Sequence, residues 1–491
     1  MNAPVEGYLA LVSFVLLSLL AFSAYRKGNT KIALGAILVL GLILRIFIAS
    51  DGYLHEWDER YHALVAKNMM ENPFKPMLYT DPVLDYDYRH WTANHVWVHK
   101  QPFPLWCMAI SMATFGVDEF TLRLPSILIS LLAVWATYLI GFHLFGRRVG
   151  VLAAFLHAIH GLTLELVGGR VATDHFDVFF QALIEFSVLA AVLHLKLKKV
   201  GYLLLMGLFC GLAILTKWLP ALIVFPIYCL LYLHYEKRID STLFKNVILA
   251  LLVTVLIAIP WQLWIHTQFP LEAAWESEYN YRHLGEALEG HERPVLIHFE
   301  DMRMIFGELV YLPLLFFLYK GVRRKNWKLL SLVVWVFVPY VFFTLVQTKM
   351  KAYTLFTSPS IFILTAFLVV FLLHKKVRMQ GWRLYLGLIT VALLVILPVR
   401  YSFERMKLFA PRHENSEEIS LLQEELNRLP AEDSILIFGS RRPIELMFYA
   451  NRNLMAYEDI PTDQEVTDLI SRGWMVYYQD EEYGFRAARA N

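Results

Sequence analysis

Two adjacent carboxylates, Asp58 and Glu59, come shortly after a long apolar stretch near residues 31–49 and open a segment with helical character, 58–72. A carboxylate at the end of a membrane span can deprotonate an acceptor hydroxyl next to lipid, which is general-base chemistry. A helix dipole alone also favours acidic residues at a helix N-terminus. The spacing by itself therefore leaves a catalytic and a structural interpretation open.

Several lysines lie where they could hold a phosphate at the depth of the lipid headgroups. Lys100 stands in the sequence His-Lys-Gln-Pro-Phe-Pro, directly before an apolar run, and Lys217 lies between two apolar runs. Lys349 and Lys351 come just before a further run. Such lysines suit an anionic lipid phosphate, but lysines at span ends also reach the interface without any ligand. Both interpretations stay open for each of them.

Acidic and imidazole groups also occur at or inside apolar runs. Asp174 and Asp177 follow Arg170 at the mouth of one run, where a carboxylate is costly unless it is paired, caps a helix or faces water. Four such groups lie inside apolar runs: Glu165, Glu185, His157 and His160. They could have a function inside the membrane, or they could be carboxyl and imidazole groups with hydrogen-bond partners between helices. One loop combines Asp85, Asp87, His90, His95 and His99 with several aromatic residues. Its spacing matches no established metal motif, and it suits sugar stacking equally well.

The composition indicates which elements must position these residues. Of the 491 residues, 57% are hydrophobic and 18% are charged, whereas soluble proteins average about 45–50% and about 25%. About twelve apolar runs are long enough to cross a hydrocarbon core of about 30 Å. They lie near 5–24, 31–49, 121–145, 149–167, 172–195, 200–216, 218–235, 243–265, 303–320, 327–346, 353–373 and 381–400. The sequence therefore predicts an all-α polytopic membrane protein.

The charges between the runs predict the topology. Lysines and arginines cluster in every second loop, at 26–31, 147–148, 196–199, 237–245, 320–328 and 375–383. Such loops are cytoplasmic by the positive-inside rule. The first run has no basic residue before it, so we expect a span with its N-terminus outside and not a cleaved signal peptide. The outward segments are then 50–120, 266–302 and 401–491, and the short apolar run 102–115 is expected to be an interfacial or re-entrant helix.

The composition becomes that of a soluble domain after Pro411. Periodicity predicts helices over 415–428, 443–450 and 462–471 and strands over 434–438 and 474–478. We therefore expect two domains. A transmembrane domain covers 1–400 with the outer loops 50–120 and 266–302, and a small α/β soluble domain covers 411–491 on the outer face.

Six short motifs follow one another in a characteristic order. They are Asp58-Glu59, Lys100-Gln101-Pro102, Arg123-Leu124-Pro125-Ser126, Thr173-Asp174, Thr216-Lys217 and Lys349 with Tyr353 four residues later. Through this order, residues 30–370 resemble the GT-C glycosyltransferases of the protein O-mannosyltransferase and aminoarabinose (lipid A) transferase type. The resemblance implies a GT-C fold and inverting transfer of a sugar from a polyprenyl phosphate to a lipid, glycan or protein acceptor.

The resemblance also implies roles for individual residues. Asp58 matches the general base or acceptor-orienting carboxylate, and Asp174 matches the second acidic residue of the site. Contacts to the donor phosphate are implied for Lys100, Arg282, Lys349, Tyr353 and Lys217. Glu59 and His99 take acceptor-binding or supporting positions. The chain departs from the family pattern at His99, where the family has an acid, and at Gln101, where it has a proline.

The implied chemistry is physically consistent with these residue types. A polyprenyl phosphate leaves as an anion, which cations stabilise, while a carboxylate activates the incoming hydroxyl. No cofactor is required, although a divalent metal at the acidic site stays an open alternative. Expected partners are the lipid-linked donor, the acceptor and membrane lipids, but no nucleic acid, because the formal net charge is only +2. The expected location is the inner membrane, multi-pass, with the active site facing the periplasm.

Two functions of other classes fit the same spans. A transporter or lipid-linked sugar flippase would share the basic outer residues, but transporters are typically built from internal repeats and broken helices with a midplane site, and the two halves of this chain look dissimilar. A structural or assembly protein that docks partners through its C-terminal domain would tolerate replacement of Asp58 and Asp174.

Overall fold

The computed structural model describes residues 5–172, 174–375, 380–410, 413–431, 434–450, 453–479 and 484–488. They form two compact units. The first, here the transmembrane unit, comprises residues 1–49, 100–104 and 125–410, and the second, here the mixed unit, comprises 50–99, 105–124 and 411–491. The mixed unit thus joins most of the first outer segment to the C-terminal region, whereas the sequence-based boundaries assigned that segment to the transmembrane domain.

In chain order the first helices are α1 (Val5–Arg26), α2 (Thr30–Ala49), α3 (Asp58–Met69), α4 (Pro102–Phe115), α5 (Glu119–Phe145), α6 (Arg147–Ala158), α7 (Gly161–Val167), α8 (Asp174–Leu197) and α9 (Val200–Lys217). Next are α10 (Val224–Glu236), α11 (Ser241–Gln268), α12 (Pro270–Gly285), α13 (Ile297–Phe306), α14 (Tyr311–Arg323), α15 (Trp327–Leu345), α16 (Ser358–Lys375) and α17 (Trp382–Met406). Short 3₁₀ helices precede α10 (Leu219–Ile223), α14 (Glu308–Val310) and α16 (Lys351–Thr357).

The C-terminal elements are α18 (His413–Arg428), β1 (Ile435–Phe438), α19 (Pro443–Tyr449), β2 (Leu454–Ala456), α20 (Asp463–Ser471), β3 (Met475–Gln479) and β4 (Phe485–Ala487). The strands form one sheet in the order β2-β1-β3-β4. β1 pairs in parallel with β2 and β3, with Ile435 opposite Leu454 and Met475, and β4 runs antiparallel to β3. The predicted helices and strands are present, and β2 and β4 are additional.

Within the described residues, ten helices are long and apolar enough to cross a membrane, and twelve if two bent pairs each count as one span. The prediction of an all-α polytopic membrane protein with a small C-terminal sheet is therefore confirmed. Helix α8 is the centre of the transmembrane unit, since nearly all of its side chains are buried. Helices α11 and α17 expose most of their apolar surface, as expected of helices that face lipid.

Two predicted spans prove to be broken. The run 149–167 consists of α6 and α7, bent by 49°, and the run 303–320 lies in α13 and α14, bent by 112°. The second break lies at Gly307, whose φ of 97° favours glycine and where a Cβ would approach Leu397 Cβ to 2.9 Å. At the first, the guanidinium of Arg45 donates to the carbonyl of Ala158 at 3.1 Å, which satisfies an otherwise exposed helix end. Local hydrophobicity does not reveal such breaks.

Candidate active site

Asp58 and Glu59, the first carboxylate pair, lie in two different environments at the start of α3. Asp58 is the first residue of the helix and is partly exposed, whereas Glu59 is 1% exposed. Both oxygens of Glu59 accept hydrogen bonds from Arg123, from Nε at 2.6 Å and from Nη2 at 2.9 Å. Arg123 also donates to the carbonyls of Asp51 and Tyr53, at 2.5 and 2.6 Å. This buried ion pair therefore anchors the segment that leads into α3.

His55 completes the anchor. Its Nδ1 lies 2.7 Å from Glu59 Oε2, and its Nε2 lies 3.4 Å from Asp51 Oδ2. Burial lowers the pKa of His55, but the Glu59 charge and hydrogen bonds with both carboxylates outweigh burial and raise the pKa overall. The surroundings of Glu59 are therefore those of a structural carboxylate.

A Glu59→Gln variant should therefore be less stable, because its amide cannot neutralise the buried Arg123 guanidinium. Loss of one partner of a buried ion pair typically costs about 3–5 kcal/mol, so we expect a clearly lower thermal midpoint for the solubilised protein. The double variant Glu59→Gln/Arg123→Met removes the uncompensated charge and should recover part of the loss. An unchanged thermal midpoint in Glu59→Gln would show that the ion pair with Arg123 contributes little to the stability of the protein.

The second acidic group lies at the start of α8 in the transmembrane unit. Asp174 and Asp177 are one helical turn apart and buried, so their side chains share a face. Lys217, at the end of α9, places Nζ 2.5 Å from Asp177 Oδ1 and 4.9 Å from the ring centroid of Tyr353. The structure thus brings together Lys217, Tyr353 and the beginning of α8 from three separate segments.

Asp177 is the residue of this cluster to which no role was assigned from the resemblance. Its ion pair with Lys217 offsets a charge that would otherwise be costly inside a helical bundle. The sequence does contain a signal for it, because a carboxylate at i+3 from Asp174 on a helix must lie on the same side. A phosphate that binds Lys217 therefore competes with Asp177 for the same ammonium group.

Lys349 and Arg282 belong to two segments that interlock. The backbone amides of Gln347, Thr348 and Lys349 donate to the carbonyls of Leu284, His283 and His291, respectively. Lys349 is 2% exposed, and its Nζ donates to the carbonyls of Val346 at 2.6 Å and Gln347 at 3.4 Å. Arg282 instead forms a surface ion pair with Glu286, 2.8 Å away. The two cations thus lie on hydrogen-bonded neighbouring segments but in different environments.

Lys100 lies on a short segment that packs within the transmembrane unit. The next residue, Gln101, is buried and accepts a hydrogen bond from Gln262 Nε2 at 2.7 Å. Phe103, in the first turn of α4, packs edge-on against Phe179 of α8, with 6.0 Å between ring centroids. The segment that carries Lys100 is therefore held against the helix that begins with Asp174.

His99 lies in the mixed unit, in the loop that combines Asp85, Asp87 and three histidines with aromatic residues. Its ring stacks on Trp91, with centroids 4.5 Å apart and planes 5° apart, and contacts Trp97 edge-on. His95 packs against Tyr79 and Tyr86, and burial lowers its pKa to about 4. No group of three or more His, Cys, Asp or Glu side chains is arranged to hold a metal within the part of the chain that the structure describes.

Three comparisons relate the chain to known proteins. Residues 99–264 match the family described as dolichyl-phosphate-mannose-protein mannosyltransferase. Undecaprenyl phosphate-alpha-4-amino-4-deoxy-L-arabinose arabinosyl transferase 1 of Pseudomonas fluorescens is 25% identical over 286 residues, which are 54% of this chain and 48% of the relative. The corresponding transferase of Aeromonas salmonicida is 28% identical over 314 residues, 60% of this chain and 55% of the relative. The chain thus spans about half the length of these curated relatives.

Solved structures extend the similarity to nearly the whole chain. ArnT from Cupriavidus metallidurans, bound to undecaprenyl phosphate, superposes with a TM-score of 0.64 at 14% identity over 91% of this chain and 93% of that one. The apo oligosaccharyltransferase of Archaeoglobus fulgidus gives a TM-score of 0.58 at 14% identity over 87% and 64%. The expected resemblance is confirmed: the chain has the GT-C glycosyltransferase fold and is similar to the protein mannosyltransferase and aminoarabinose transferase members of that class.

Proposed function

We propose that this chain is a polyprenyl-phosphate-sugar-dependent glycosyltransferase, a pentosyl- or hexosyltransferase that acts on a lipid, glycan or protein acceptor. The observation that carries the proposal is the cluster of Asp177, Lys217 and Tyr353 beside Asp174 at the start of α8, within a GT-C fold. The ArnT structure holds undecaprenyl phosphate, and a structure of the archaeal oligosaccharyltransferase AglB holds dolichol-phosphate. Both support a lipid-linked donor for a protein of this fold.

The proposed reaction is an inverting displacement at the anomeric carbon. The acceptor oxygen or nitrogen forms its bond from the side opposite the phosphate, the bond from carbon to phosphate oxygen breaks, and Asp58 takes the acceptor proton. The phosphate leaves as an anion, which lysine and arginine side chains stabilise. The cations assigned to this role are Lys100, Lys217, Arg282 and Lys349, with Tyr353 beside Lys217. Asp174 is the second acidic residue of the site, Glu59 supports Asp58 by anchoring the segment that leads into α3, and His99 supports the acceptor side.

The proposed location is the inner membrane, with the site on the periplasmic face. The support is the distribution of basic residues, which cluster in alternate loops. Single cysteines introduced at positions 324 and 460 check this topology. An impermeant thiol reagent on intact spheroplasts should label position 460 but not position 324, and the opposite pattern would invert the topology.

A transporter or flippase remains the competing function, and one observation favours it. Helices broken in mid-membrane are typical of transporters, and two bent pairs occur here. Against it, the acidic and basic side chains of the site gather at helix ends, where α8 begins and α9 ends. A cluster of charged side chains at helix ends is better suited to a transferase than to a transport path.

The deciding experiment is sugar transfer by the purified full chain in detergent. Undecaprenyl phosphate carrying a radiolabelled pentose or hexose is supplied with a lipid extract as acceptor, and we expect label in the acceptor fraction. A flippase would give no transfer but would move the labelled donor across the bilayer of proteoliposomes. Parallel reactions with EDTA test the proposal that the four cations suffice and that no metal takes part.

A further inference from the structure

One buried imidazole in the transmembrane unit lacks hydrogen-bond partners among the described residues. His298, on α13, is 1% exposed, and neither of its ring nitrogens has a hydrogen-bond partner among the residues that the structure describes. Its polar neighbour Asp301, by contrast, forms two hydrogen bonds with Arg293, at 2.7 and 3.2 Å. Burying a polar atom without a partner lowers the stability of a protein. A phenylalanine at this position would avoid that cost.

His298 is separated by one aromatic ring from Tyr353, a residue already assigned to the donor phosphate. Its ring packs edge-on against Phe343, with 6.2 Å between centroids, and Phe343 also packs against Tyr353 at 5.2 Å. Helix α13, which carries His298, also contacts the 3₁₀ helix Lys351–Thr357, which contains Tyr353. The position follows from the interlocked segments, since residues 283–291 hydrogen-bond to residues 347–349 and α13 begins six residues further on.

The unsatisfied nitrogens and the proximity of Tyr353 together indicate a ligand. An imidazole N–H donates well to a phosphate oxygen, and a hydrogen bond to a charged acceptor is about twice as strong as one between neutral groups. Lys349 and Tyr353 are among the residues assigned to the phosphate, so an additional neutral donor would add a hydrogen bond without adding charge. Buried polar groups that cost stability are expected at functional sites.

We propose, building on the function proposed above, that His298 is a further donor-binding residue. One ring N–H donates a hydrogen bond to a phosphate oxygen of the polyprenyl-phosphate donor, next to Lys349. The other nitrogen accepts from a neighbouring water or donor hydroxyl. The hydrogen bond is retained when the phosphate leaves, so the same contact serves donor and released polyprenyl phosphate.

The test compares stability with donor binding in variants of the full-length protein. His298→Phe keeps a ring of similar size and should raise the thermal midpoint of the ligand-free protein, because the unsatisfied nitrogens are gone. It should bind undecaprenyl phosphate about 10- to 100-fold more weakly, the loss expected for one hydrogen bond to a charged group. Binding of undecaprenol, which lacks the phosphate, and of inorganic phosphate, which lacks the lipid, should show whether the phosphate of a lipid is recognised.

His157 provides a matched control, because it is equally buried but both of its ring nitrogens have hydrogen-bond partners. Its Nδ1 lies 2.8 Å from Thr137 Oγ1, and its Nε2 lies 2.9 Å from Gln181 Nε2. His157→Phe should therefore lower the thermal midpoint and leave the affinity for undecaprenyl phosphate unchanged. The two histidine variants are thus expected to change stability in opposite directions.

The outcomes separate this inference from the proposed function. If the wild-type protein does not bind undecaprenyl phosphate, the proposed function fails. If the wild type binds and His298→Phe binds equally tightly, His298 is a packing residue and the inference alone is overturned. If His298→Phe does not fold, His298→Gln, which keeps an N–H donor, should bind more tightly than His298→Met, which has none, and equal affinities would overturn the inference.

Discussion

An Asp58→Asn variant should bind the polyprenyl-phosphate donor normally and yet fail to transfer its sugar. Asparagine keeps the shape and most of the hydrogen bonding of Asp58, but it cannot accept the acceptor proton. Loss of a general base typically lowers the rate by about 10²–10⁴-fold. Single-turnover transfer and donor-lipid binding, measured side by side, give the rate and the affinity separately.

Glu59 provides the control for this experiment because it is adjacent and acidic but buried against Arg123. The fraction of Glu59→Gln that remains folded should transfer sugar at a rate much closer to the wild type than Asp58→Asn does. The assignment would be wrong if Asp58→Asn transferred normally. It would also be wrong if folded Glu59→Gln were the inactive variant.

A Lys100→Ala variant should lose about 30- to 1,000-fold in transfer rate at subsaturating donor. The physical reason is that one cation is removed from a desolvated phosphate site, which is worth about 2–4 kcal/mol. The variant should still fold, because the buried Gln101–Gln262 hydrogen bond holds the segment in place. The measurement is the transfer rate as a function of donor concentration, and the thermal midpoint checks that the variant is folded.

Lys351 is the matched control for Lys100, since it is also a lysine beside an apolar run but is exposed to solvent. Lys351→Ala should retain nearly full activity and so separates a specific phosphate contact from a general effect of surface charge. A Lys100→Ala variant as active as Lys351→Ala would remove Lys100 from the proposed donor site.

The sequence alone determined the features that depend on local pattern. Apolar runs long enough to cross a bilayer specified a polytopic helical protein, and periodicity located α18, β1, α19, α20 and β3 to within a few residues. The reason is that span length and amphipathic period are properties of neighbouring residues. The order of six motifs was also sufficient to indicate the GT-C class, because motif order does not require knowledge of any contact.

The tertiary structure decided what depends on residues far apart in the chain. The short strands β2 and β4 are stable because they pair with β1 and β3, and no pattern of three residues indicates that. Glu59 is held in a buried ion pair because Arg123, 64 residues later, packs against it. Lys217 meets Asp177 across 40 residues, and His298 packs against Phe343, which in turn packs against Tyr353. Burial and pairing are set by the packing of whole helices, so sequence reasoning could name Glu59, Asp177 and Lys217 but could not assign their partners, and it did not single out His298.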